Sequence, residues 1–122
     1  MLSDQLRKFI QANVRTIWAL EMLLILCRSG ERSWTVEELD RELRGSVGLV
    51  RKVLNNFEQA GLVNRETGEV YRWEPSTGEL EGLSRELVSL YATHPFSVIK
   101  AITAAQTDRI QALADAFKIK KD

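Results

Sequence analysis

The stretch WTVEELDRELRGSVGLVRKVLNNFEQAGLVNRETGEVYRW, residues 34–73, decides how the chain is read. It opens with a complete helix start. Thr35 stands as an N-cap, Glu38 three residues on is the reciprocal half of a capping box, and Trp34 and Leu39 occupy the two positions of a hydrophobic staple. Val36, Leu39 and Leu43 supply the apolar stripe of a short helix, leaving Glu37, Glu38, Asp40, Arg41 and Glu42 to water. Arg44-Gly45 ends it. Ser46 then caps a second helix, whose apolar positions Val47, Val50, Val53, Leu54 and Phe57 recur at intervals of three and four, with Gly61 as its stop. So short a link between two helices is a helix-turn-helix connection. Beyond Gly61, LVNRETGEVYRWEP holds two short runs of strand-favouring residues around Thr67-Gly68, a hairpin signature closed by Pro75. The loop can be two or three residues, and a slip of one residue exchanges the faces that Arg65 and Arg72 occupy.

Working outward, no glycine or proline interrupts Ser3 to Cys27, and Leu2, Leu6, Phe9, Ile10, Ile17, Leu20 and Leu24 carry helical spacing. One long helix fits, or two abutting ones joined at Asn13, with Arg28-Ser29-Gly30 closing the segment. On the other side, Leu80, Leu83, Leu87, Leu90 and Tyr91 predict a helix up to His94-Pro95. Phe96, Val98, Ile99 and Ile102 predict a short one after it. Thr107 can cap a last helix with Ile110, Leu113 and Phe117 on its stripe, before a frayed KIKKD tail. The expected class is mainly α with a small β-hairpin (α+β), as one domain. Residues 1–30 form N-terminal helices, 31–75 the central unit, and 76–122 C-terminal helices serving oligomerisation. The terminal helices offer more Leu, Ile and Phe positions than three short helices and a hairpin would cover, which predicts a twofold dimer.

Composition narrows the chemistry. Lys plus Arg equals Asp plus Glu at 17 each, so total charge does not advertise nucleic acid. Its distribution is uneven: residues 44–73 carry five basic and three acidic groups, between residues 31–43 with two and five and residues 74–94 with one and four. Cys27 lies in the apolar run MLLILC and is expected to act as a small buried hydrophobe. That run is too short to span a bilayer and the first residues lack the order of a secretory signal, so a cytoplasmic protein is expected. One histidine, one cysteine and no metal-ligand spacing predict neither catalysis nor a metal or other cofactor. His94, ahead of Pro95, marks a helix end. GSVG and STGEL lack the context of a phosphate loop. Trp18, Trp34 and Trp73 are expected in the core and staple rather than in a ligand pocket. ALADAFKIKK is expected to pack against protein rather than lie on a membrane.

Helix, capped short helix, tight turn, third helix and hairpin, in the order residues 34–73 give them, resemble the winged helix-turn-helix superfamily. With long helices on both sides, the chain most resembles MarR-type transcriptional regulators. The resemblance implies a first strand at Ser33-Trp34, a first motif helix at 36–43, a recognition helix at 47–60 in the major groove, and a wing at 62–74. It also implies a duplex DNA partner and a dimer built by the terminal helices. Side chains on the outer side of the recognition helix and wing then become the candidate contacts. Arg51 and Lys52 can donate to guanine, Asn55 and Asn56 can pair with adenine, and Arg44 and Ser46 sit where a helix N-terminus meets phosphate. Arg65 and Arg72 would face the backbone from the wing. Against them stand Glu66 and Glu69, flanking the tip. The alternative is a winged helix that binds protein, for which Leu49, off the buried stripe, would be an anchor unless it packs under the preceding helix.

Overall fold

A computed structural model describes residues 2–104; the helix expected after Thr107 and the KIKKD tail lie outside the described residues. Its elements are α1 (Asp4–Asn13), α2 (Ile17–Ser29), β1 (Ser33–Thr35), α3 (Val36–Leu43), α4 (Val47–Ala60), β2 (Val63–Arg65), β3 (Val70–Trp73) and α5 (Gly78–Thr93). A further helix, α6, is described over Pro95–Ala104. The chain is mainly helical with one small antiparallel sheet, the α+β class expected.

Of the two N-terminal alternatives, the chain forms two helices, bent by 105° at the break after Asn13. Thr16 causes the bend locally. It adopts extended backbone and its Oγ1 accepts the Ala19 N–H at 3.1 Å, starting a new helix instead of continuing the old one. Val14, fully buried, fills the corner.

The α3 start forms as its residues dictate: the Glu38 N–H donates to Thr35 Oγ1 at 3.1 Å and the Thr35 N–H to Glu38 Oε1 at 2.9 Å. Trp34 and Leu39 of the staple are both buried. At the α3–α4 turn Arg44, not the neighbouring glycine, takes the left-handed conformation at φ 54°. Gly45 is needed for space: a Cβ there would lie 3.1 Å from the Trp18 ring. Gly61 ends α4 at φ +84°, its carbonyl accepting the Ser76 N–H at 2.7 Å.

The sheet order is β1-β3-β2. Trp34 pairs with Tyr71 and Val63 with Trp73, so these four side chains share the face turned into the core. Ser33, Asn64 and Arg72 share the other face. Central to the core is α2, which contacts α3, α4, α5 and β3. Leu20, Leu23 and Leu26 of α2, Leu54 and Phe57 of α4 and Leu87 of α5 are completely buried there. Each such side chain contributes roughly 1.5–3 kcal/mol relative to exposure. Cys27 is half-buried, and burial raises its thiol pKa.

The apolar surplus that predicts a dimer shrinks in the folded chain. Leu6, Phe9 and Ile10 of α1 are buried, with α1 packed on α4 and α5 and Gln5 Nε2 donating to Glu79 Oε1 at 2.7 Å. Among the described residues the exposed large hydrophobics are Ile17 and Phe96, 41% and 84% exposed. Phe96 leaves the stripe expected of it because about 100° per residue sets it roughly 200° from Val98, which turns inward with Ile102.

Candidate nucleic-acid interface

Rotation along α4 sorts its side chains into four strips. Val50, Val53, Leu54 and Phe57 are buried. The opposite ridge is Gly48, Lys52, Asn55 and Gln59, all exposed. Arg51 and Glu58 lie on the flank toward the hairpin, and Leu49 and Asn56 on the flank toward the α1–α2 corner.

The hairpin flank is filled with matched charge. Glu66 donates its N–H to the Val70 carbonyl at 2.9 Å, which closes Thr67-Gly68-Glu69 as a three-residue loop. That choice turns Glu69 toward α4, where its carboxylate clasps the Arg51 guanidinium at both oxygens: Nη2 donates to Oε1 at 2.8 Å and Nε donates to Oε2. One turn or two further along, Arg65 Nη2 donates to Glu58 Oε1 at 3.0 Å, with its guanidinium 5.7 Å from the centre of the Tyr71 ring. These hydrogen bonds raise the pKa of both arginines and hold the Glu69 carboxyl below its usual range. Glu37, on α3, adds its field at Arg51. The other tip carboxylate is also engaged, since Ser33 Oγ donates to Glu66 Oε1. The acidic tip that the sequence sets against phosphate is therefore partnered within the chain.

The three-residue loop also settles the faces. Arg65 shares Tyr71's face and leans on α4, whereas Arg72 lies on the opposite face and donates to Glu74 Oε1 at 3.1 Å. The two hairpin arginines do not point to one surface together.

The corner flank is open. Asn13, Arg15, Thr16, Leu49, Lys52 and Asn56 line a groove of about 180 Å³ between the α1–α2 corner and α4. Leu49 is half-buried along this groove. Gln59, on the outward face expected of α4, and Arg15, which the sequence does not single out, both come to this candidate surface. Arg15 follows a helix break whose angle no local pattern specifies, and that angle is what brings it beside Asn56.

Of the eight candidates, Arg44, Ser46, Lys52, Asn55 and Asn56 line the start, ridge and corner flank of α4, and all are exposed. Ser46 Oγ accepts the Leu49 N–H at 3.2 Å as the helix cap, which leaves its hydroxyl hydrogen available for a phosphate. Neither Arg44 nor Lys52 has an ion-pair partner among the described residues. Arg51, Arg65 and Arg72 are each held by a carboxylate. Among the described residues no group of His, Cys, Asp and Glu side chains could hold a metal ion, and no single helix is long and apolar enough to cross a membrane.

Comparison with known proteins adds one partial similarity. The very-long-chain 3-oxoacyl-CoA reductase of Podospora anserina is 31% identical over 78 residues, which cover 64% of this chain and 22% of that protein. The chain thus spans less than a quarter of the length of that curated relative. No family model and no solved structure matches the chain.

Proposed function

We propose that residues 33–74 form a winged helix-turn-helix unit and that the chain binds duplex DNA as a transcriptional regulator of bacterial type, acting in the cytoplasm without catalysis or cofactor. The observation that supports this most is the chemistry of the α4 ridge. Gly48, Lys52, Asn55 and Gln59 project between two flanks, offering amide and ammonium groups suited to base edges and no apolar anchor. Protein interfaces draw most of their energy from a few buried anchors, chiefly Trp, Tyr and Arg, and this ridge has none. Arg44 and Ser46 at the start of α4 and Lys52 on the ridge would meet phosphates, and Asn55 and Asn56 the bases. Homodimerisation belongs to the same reading and rests on α6, where Phe96 is 84% exposed.

A module that binds protein instead is favoured by a separate observation, the pairing of Arg51, Arg65 and Arg72 with carboxylates, which lowers the charge available to phosphate.

Fluorescence anisotropy of a labelled random duplex, titrated with the protein from low to physiological salt, decides between them. Each neutralised phosphate adds about −0.9 to the slope of log affinity against log salt, so Arg44 and Lys52 alone give about −1.8 per protomer and all five cations about −4.5. The expected slope is near the smaller value. Lys52→Ala should reduce it by about 0.9, while Arg51→Ala leaves it nearly unchanged. Absence of binding at low salt, by wild type and by variants that remove the hairpin carboxylates alike, would exclude the DNA reading in favour of a protein partner.

A further inference from the structure

We infer that the Arg51–Glu69 pair is an autoinhibitory contact, in which the hairpin carboxylate occupies the guanidinium that would otherwise take a DNA phosphate. The inference rests on the DNA reading above. Its geometric basis is the fork: Arg51 Nη2 and Nε donate to the two oxygens of one carboxylate, the arrangement that arginine also offers to two oxygens of a phosphate. A phosphate can bind there only by displacing Glu69. The pair is open to solvent on both sides, with Arg51 47% and Glu69 43% exposed, so it can exchange without unfolding anything.

Position makes the exchange consequential. Arg51 stands on the flank where the hairpin and α4 would both approach a duplex, and Glu69 sits in the three-residue loop at the hairpin tip. While the pair holds, hairpin and helix are tied together and the flank presents no net cation. Glu37 adds its field at Arg51 and Arg65 its field at Glu69, while Arg65 is itself held by Glu58. Glu66 provides the internal control. It lies in the same hairpin and carries the same charge, but its carboxylate accepts from Ser33 and touches no cation of α4.

The test is anisotropy of a labelled random-sequence duplex against four full-length proteins, wild type, Glu69→Gln, Glu66→Gln and Glu69→Gln/Arg51→Ala, across a salt series. An exposed pair holds its partners by a factor of roughly two to five. Glu69→Gln should therefore tighten binding by about that factor and steepen the salt slope by about 0.9 per protomer. Glu66→Gln should tighten it less and leave the slope alone, and the added slope should vanish in the double variant. Binding by Glu69→Gln where wild type shows none would support the contact. Equal gains from Glu66→Gln and Glu69→Gln would overturn it and leave the DNA reading standing, since the effect would then be general charge. No binding by wild type or Glu69→Gln at low salt would overturn the DNA reading and the inference together.

Discussion

Along its hairpin side α4 meets Glu69 and Arg65 with Arg51 and Glu58, acid to base and base to acid. Along its other side it meets the α1–α2 corner with Leu49, Lys52 and Asn56 across an open groove. Both flanks hang from one buried strip, Val50, Val53, Leu54 and Phe57. One core thus supports a flank whose charges satisfy each other and a flank that opens as a groove. Counting the cations of residues 44–73 treats them as equivalent. What each can do depends on which flank its register gives it.

The most destructive way to break the comparison is to remove what the flanks share. Phe57→Ala takes a completely buried ring from beneath both, and should lower the unfolding free energy by about 3–5 kcal/mol in a urea titration. Loss of both flanks together is expected, seen as unfolding of hairpin and corner in one transition. A loss under about 1 kcal/mol would mean that the core collapses onto the vacancy and that α4 is held chiefly by its flanks.

Gly61→Ala separates the flanks more selectively. Gly61 sits at φ +84°, a conformation that costs a side-chain-bearing residue about 1–2 kcal/mol, and an added Cβ would run into Ser76 Oγ. Because Gly61 sets the path from α4 into β2, the strain falls on the hairpin side. A loss of about 1–3 kcal/mol is expected by chemical denaturation, with hydrogen exchange rising in β2 and β3 before it rises in α1. Uniform acceleration across α1 and the hairpin would show that the two flanks are not separable.

How much of this was legible follows from where each piece of information resides. The capping box at Thr35 and Glu38, the buried stripes of α3 and α4 and the stop at Gly61 are local, because each follows from residues within about one helical turn of one another. The hairpin was legible but its faces were not. Two and three residues of loop were both compatible with Glu66-Thr67-Gly68-Glu69, and only the register of Arg65 with Tyr71 directs Arg65 toward α4. The left-handed residue at the α3–α4 turn could not be assigned to Arg44, because what reserves Gly45 for another purpose is Trp18, distant in sequence. Arg15 and the Arg51–Glu69 clasp were invisible for the same reason: a 105° corner and an 18-residue separation bring together groups that no short pattern relates. The dimer argument relied on counting apolar residues without knowing that α1 folds its own onto α4 and α5.

The smallest effect, and the sharpest probe of the difference, is pH. Arg51 first, with Arg65 behind it, holds the Glu69 carboxyl below its usual range, so the folded chain binds that proton less readily than the unfolded chain does. The sign follows. Stability from the hairpin clasp is complete above the usual carboxylate value of about 4.3 and is lost as pH falls through the lowered value of Glu69. Glu38 behaves in the same sense, held low by the Thr35 N–H. Melting temperature followed from pH 6 to pH 3 should therefore fall less steeply in Glu69→Gln than in wild type, with the two curves drawing together as wild-type Glu69 takes up its proton. Lys52→Ala, on the open flank, should leave the shape of the curve unchanged. Identical slopes for wild type and Glu69→Gln would mean that the clasp adds nothing to stability in solution, and that the hairpin flank is as open as the corner.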